Sequence, residues 1–313
     1  MTVLDWLLDS DPGLRWQVLR DLTDASVEEV AAERARVAVQ GWGARLLAVR
    51  DGDGQWAGGA CFPAGFTGDF SAGQPWTSTF PTLTLLRDLG VDPEAEPVRE
   101  AVRLVAENCR WEHAGQPFFA GEVEPCINGR TVALGAYFGV DVEGIVERLV
   151  GEQLADGGWN CEAENGSVRS SFHSTMCVLE GLLAHEQATG GSQAARTARR
   201  RGEEYLLERR LLRRRSTGEI IEPDWLRFSF PTWWHYDVLR ALDYFRATGS
   251  TPDARLAEAV ELVRSKREPE GTWLLENTHH GAVHFVLEDG DGRPSRWNTL
   301  RASRVLAWVG SRT

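Results

Sequence analysis

Residues 235–240 read His235-Tyr236-Asp237-Val238-Leu239-Arg240, and the same wording returns twice. It returns as Arg15-Trp16-Gln17-Val18-Leu19-Arg20 and as Arg296-Trp297-Asn298-Thr299-Leu300-Arg301. Recurrence of one apolar segment marks a repeat architecture. Weaker copies run from Thr82 to Arg87, from Arg130 to Gly135 and from Thr175 to Glu180. The six copies are spaced by roughly 45 to 70 residues and read as six related helices. Between them lie charged segments at 26–51, 93–109, 141–154, 194–215 and 253–268, with apolar residues at helical spacing and a charged opposite face. These read as outer helices, and the copies richer in aromatic and small residues read as inner ones. Three outer segments run into a Gly-Trp turn: DGDGQW ending at Trp56, LADGGW ending at Trp159 and EPEGTW ending at Trp273. Glycine permits the tight turn, and the Trp is placed to wedge between successive helix pairs.

Helix pairs that cannot each bury a core must stack on their neighbours. The expectation is an all-α fold of about six inner and five to six outer helices, residues 1–313 forming one domain. Closed into a ring, it leaves a central cavity. Residues 219–223 and 283–294 are the only candidates for short extended pieces.

The chain of 313 residues is 42% apolar and 26% charged, with 13 Trp and a formal charge of −12. That charge argues against nucleic acid or an anionic membrane as a partner engaged by bulk electrostatics. No run of about 20 apolar residues predicts a transmembrane helix, and the N-terminus lacks the basic start of a signal peptide. Five widely spaced Cys without a secretion signal read as reduced thiols, so a cytoplasmic location is expected. No P-loop, G-x-S-x-G or Rossmann fingerprint is present, and no nucleotide cofactor is expected.

Alternating inner and outer helices with recurrent Gly-x-Trp turns resemble the α/α toroid of the squalene cyclases and the protein prenyltransferase β subunits. The D-x-D-D acid motif that class II terpene cyclases use is absent; Asp51-Gly52-Asp53-Gly54 and Asp289-Gly290-Asp291-Gly292 lack its paired carboxylates. Ordinary squalene cyclisation is therefore disfavoured. Locally, Ser171-Phe172-His173-Ser174-Thr175-Met176-Cys177 is similar to the prenyltransferase segment that supplies a zinc-binding His. Glu124-Pro125-Cys126 stands where that family has D-x-C, with Glu for Asp and a shorter spacing to the His. The resemblance implies a zinc ion held by Glu124, Cys126 and His173, and an apolar or prenylated small-molecule substrate.

The residues themselves leave each site open. A thiolate, an imidazole and a carboxylate make a three-ligand zinc set with a free fourth position; packing and capping explain the same residues. Cys161 and Glu162 are substitute ligands. Arg15, Arg130, His235 and Arg296 share the first position of the repeat. There they either converge on an anion or pair with Asp21, Asp88, Asp237 and Glu180 to tie repeats together. Arg130 and Arg296 are the candidates to orient an anionic group, and His235 is the candidate general acid or base. Trp76, Phe80, Phe118, Phe119, Phe172, Trp233, Trp234, Tyr236 and Trp297 are either pocket lining or core. The His-rich stretch 277–284 is a weaker metal candidate, and 209–215 reads as a solvated basic face. The functional expectation is a terpenoid or prenyltransferase-like enzyme acting in a central cavity. The alternative is a toroid that holds a lipid or a protein without chemistry.

Overall fold

The computed structural model describes residues 2–310. In chain order its α-helices are α1 (Val3–Leu8), α2 (Pro12–Leu22), α3 (Val27–Ala35), α4 (Gly41–Ala48), α5 (Thr79–Leu89), α6 (Glu96–Asn108), α7 (Pro125–Phe138), α8 (Glu143–Gly151), α9 (Phe172–Thr189), α10 (Gln193–Leu207), α11 (Val238–Ala247), α12 (Ala257–Ser265) and α13 (Arg296–Gly310). The strands among the described residues are Trp273–Leu274 and Pro294–Ser295, an antiparallel pair. Of the two expected extended pieces, only Ile220, bridged to Arg213, and this short pair take that form. No described helix is long and apolar enough to cross a membrane.

Local chemistry sets the helix ends. Asp11, Ser171, Ser192 and Asp237 cap the N-termini of α2, α9, α10 and α11 with side-chain oxygens that accept backbone N–H bonds. Gly90, Gly139 and Gly190 close α5, α7 and α9 in the left-handed conformation that glycine adopts without strain.

Helices α2, α5, α7, α9, α11 and α13 form the inner ring, each packed on the next, and α13 returns to α2. The seam joins residues 283, 287 and 290 positions apart. Arg304 donates to Gln17 Oε1 at 2.9 Å and pairs with Asp21, while Arg296 Nε donates to the Trp6 carbonyl at 3.2 Å. The all-α toroid expected from the repeat is what forms. Outer helices α6 and α10 bury only one face, whereas α5, α7 and α9 bury most of their residues.

The three Gly-Trp turns are one device used three times. Trp56, Trp159 and Trp273 are buried, and each indole N–H donates at 2.7 Å to the carbonyl ten residues back: Leu46, Leu149 and Val263. Their backbone N–H groups donate to the hydroxyls of Thr79, Thr175 and Thr299 on the next inner helix. Each Trp thus fastens an outer helix to an inner one. These bonds make Thr79, Thr175 and Thr299 structurally equivalent. The weaker sequence copies beginning at Thr82 and Thr175 are therefore displaced from the Arg296 copy, by six and three residues.

Helices α7 and α9 approach most closely because both carry glycine at the contact. A Cβ on Gly181 would lie 2.1 Å from the Gly129 carbonyl oxygen, and one on Gly129 would lie 2.5 Å from that of Cys177. Gly181→Ala is expected to lower the stability by about 1–3 kcal/mol, the usual cost of overpacking. Urea unfolding of the variant checks this; an unchanged midpoint would mean the helices separate freely.

Candidate functional site

The close α7–α9 contact brings the start of α7 against the loop that precedes α9. Glu124, the residue before α7, lies beside Cys126 in its first turn, with Cys126 Sγ 3.3 Å from Glu124 Oε2. Cys161, from the loop, places its Sγ 3.0 Å from Cys126 Sγ and 3.3 Å from Ser174 Oγ at the start of α9. The ligand atoms of Glu124, Cys126 and Cys161 all lie within 4.8 Å of one another. The hydrogen-bonded neighbour Cys161, and then burial, raise the Cys126 thiol well above its ordinary range. Without a metal the Cys126 thiol is a poor nucleophile. Two thiols and a carboxylate nonetheless suit a borderline-soft cation such as zinc, which deprotonates its thiol ligands.

His173 borders the same cavity but stands outside this set. Its Nδ1 accepts the Tyr236 backbone N–H at 2.9 Å. In the neutral ring that bond leaves the proton on Nε2, where it blocks ligation; a metal-bound His donates its other N–H instead. The expected Glu124–Cys126–His173 set is therefore not brought together; the thiol gathered with Glu124 and Cys126 is that of Cys161. Burial, with Arg240 nearby, lowers the His173 pKa to about 4.

The thiols border a cavity of about 470 Å³. Phe62, Phe80, Trp111 and Trp234 supply its aromatic walls, and Glu112, which accepts from the Cys61 and Phe62 amides, forms part of its rim. Arg130 of α7 faces it. This guanidinium is 3% exposed, lies 4.4 Å over the Phe80 ring and donates to Thr84 Oγ1 at 3.1 Å. No described carboxylate pairs with it, and burial above all lowers its pKa.

The other first-position residues do not join Arg130. Arg15 pairs with Glu33. Arg296 lies over the Trp6 ring and donates to the Trp6 and Asp9 carbonyls, so it closes the ring seam rather than orienting a ligand. His235 is stacked between Trp234 and His279, with both centroid distances 3.7 Å. Burial, then His279 and His173, lower its pKa to about 2. That shift argues against the general acid or base role expected of it. The repeat-tying alternative holds for its neighbours: Arg240 pairs with Glu180 and Arg87 with Asp88.

The aromatic candidates are dispersed. Phe80 and Trp234 line the thiol cavity, whereas Phe172 packs against Tyr205, Trp225 and Tyr236 as core. Trp76 and Trp233 stack at 4.7 Å, and Trp233 is held at φ +50°, an uncommon backbone for a bulky residue. Trp76, Trp234 and Tyr236 border a third, open cleft, and Trp297 and Trp233 border the opposite end of the barrel. Phe118 and Phe119 are core. In the 277–284 stretch, His284 Nε2 is 2.8 Å from Thr82 Oγ1, and His279 stacks on His235 with its Nε2 unpartnered; neither joins a metal-ligand cluster among the described residues. In 209–215, Leu211 and Leu212 are buried while Arg213 and Arg215 pair with Glu258 and Glu208.

No protein-family model and no curated protein matches the sequence. Among solved structures, a variant of the type II terpene cyclase MstE from Scytonema, in complex with its substrate geranylgeranyl dihydroxybenzoate, is similar over 89% of this chain and 95% of its own. The identity is 14% and the TM-score 0.38. At that distance the likeness assigns chemistry to no residue here.

Proposed function

We propose that the chain is a terpenoid-type enzyme. It takes a small apolar, prenyl-like molecule with an anionic head into the cavity at the N-terminal ends of α5, α7 and α9. The observation that carries this reading is Arg130, a buried guanidinium without a counter-charge beside an aromatic-walled cavity. An unpaired buried cation costs several kcal/mol, and a phosphate or carboxylate from a ligand offsets that cost. The volume lies within the usual range for small-molecule sites, and the aromatic faces suit an isoprenoid chain. The resemblance of residues 171–182 to the prenyltransferase segment supports the same substrate class.

We further infer that Glu124, Cys126 and Cys161 hold zinc. Bound there, the ion supplies Lewis acidity at an open coordination position. In this reading Arg130 binds and orients the anionic head. Phe80, Trp111 and Trp234 exclude water from the apolar part. A toroid that binds without chemistry is the second reading, favoured by the neutral, sandwiched state of His235 and by the salt-paired Arg240 and Arg87.

Elemental analysis of protein purified without chelators, together with geranyl diphosphate titrations followed by Trp fluorescence, tests this account. One zinc per chain is expected, lost in Cys126→Ser and Cys161→Ser but kept in His173→Ala. Affinity for geranyl diphosphate should fall about tenfold or more in Arg130→Gln, the loss of a charge-assisted contact. Equal affinity in that variant would remove the reading of Arg130. A metal-free native chain would remove zinc and leave the binding toroid.

A further inference from the structure

A second cavity, of about 600 Å³, lies at the other end of the barrel, where the C-terminal halves of the inner helices meet. Its wall is charged, with five guanidiniums facing three carboxylates, in a chain whose formal charge is −12. Three of these arginines are matched. Arg87 pairs with Asp88 at 2.7 Å, Arg240 with Glu180 at 2.6 Å and Arg304 with Asp21. The remaining wall carboxylate, Asp243, is held by Arg246 at 2.7 Å.

Arg34 has no carboxylate partner, and Arg301 has only two long ion pairs. Arg34 donates only to neutral acceptors, the Gly90 carbonyl at 2.9 Å and the Tyr137 hydroxyl at 3.1 Å. Arg301 is buried and donates to the Ser229 carbonyl at 3.0 Å, and its nearest carboxylates, Asp237 and Asp243, stand 3.9 and 4.0 Å away. A second observation points the same way: Arg304, also in this wall, is 8% exposed and its Nε–H has no hydrogen-bond partner. A positive recess with low-dielectric walls concentrates anions, and a guanidinium fork matches carboxylate and phosphate oxygens.

We propose that this cavity is a binding site for a small organic anion carrying carboxylate or phosphate groups, held by Arg34 and Arg301. It is separate from the thiol cavity and does not depend on the function proposed for that cavity. The volume accommodates a metabolite-sized molecule rather than a bare ion.

Isothermal titration of the full chain with citrate and with glycerol phosphate at low salt tests the site. Saturable binding of at least one is expected. It should weaken about tenfold or more in Arg34→Gln and in Arg301→Gln and stay unchanged in Phe62→Leu, a residue that lines only the other cavity. Ala136→Asp places a negative charge on the wall without removing an arginine, so it keeps the test decisive if an arginine variant fails to fold. It should abolish binding in a chain whose circular dichroism is native. No saturable binding of either anion would overturn the proposal. So would binding lost in Phe62→Leu but retained in the Arg34, Arg301 and Ala136 variants.

Discussion

Trp159→Ala is expected to cost about 3–5 kcal/mol of folding stability, the range for removing a large buried aromatic. The cost has three parts. The indole fills a fully buried site. Its N–H satisfies the Leu149 carbonyl at the end of α8, which then loses its partner. The turn that it anchors also presents the Trp159 amide to Thr175 on α9. Trp159→Phe separates these parts. It keeps most of the volume but leaves the Leu149 carbonyl without its donor, at about 1–3 kcal/mol. Trp273→Ala should behave alike, because Val263 and Thr299 repeat the arrangement. Urea unfolding reads all three variants. A loss below about 1 kcal/mol for either alanine variant would mean that the Gly-Trp turns decorate the repeat instead of fastening it.

Acid should destabilise the protein well above the range where carboxylates titrate. His173 and His279 have pKa values lowered to about 4, and His235 to about 2, with burial the first cause in each. Unfolded, each titrates near 6.5. Between pH 6.5 and 4 the unfolded chain therefore binds protons that the folded chain does not. The contribution of these rings is present above pH 6.5 and is lost as the pH falls below it. Each ring contributes on the order of 1 kcal/mol per pH unit, so the urea midpoint should drop sharply between pH 7 and pH 5.5. The buried carboxylates Asp237 and Glu288, whose pKa values are raised mainly by burial, act with the opposite sign, but their window opens only from their ordinary carboxylate values upward. His235→Gln and His279→Gln together should flatten the profile. An unchanged midpoint at pH 5.5 in the native chain would show that the rings take up protons without leaving the stack.

The toroid was legible because its determinants are local. The 3.6-residue period marks each helix, and the Gly-x-Trp turn marks each joint. The site was legible only in part. Glu124 and Cys126 stand at the start of α7 as their position beside a proline suggests, and Arg130 faces a cavity. Cys161 needed the α7–α9 contact, set by Gly129 and Gly181, which lays the loop before α9 over the start of α7. Spacing alone does not encode that approach. His173 misled because its role depends on which ring nitrogen is engaged, and the Tyr236 amide that decides this lies 63 residues away. The arginines of the second cavity stand at other positions of the repeat than its first. Arg240 and Arg301 occupy its last position, where each reaches the inner wall. The charged character of that wall also departs from the expected apolar cavity: the inner helices pair arginines and acids within a helix and between neighbouring helices.

The most direct test of the central claim is diffraction from crystals of the native chain grown with geranyl diphosphate. The account predicts prenyl density between Phe80, Trp111 and Trp234, with the diphosphate against Arg130. Density in the cavity at the opposite end, or an empty pocket beside Arg130 at saturating ligand, would contradict it.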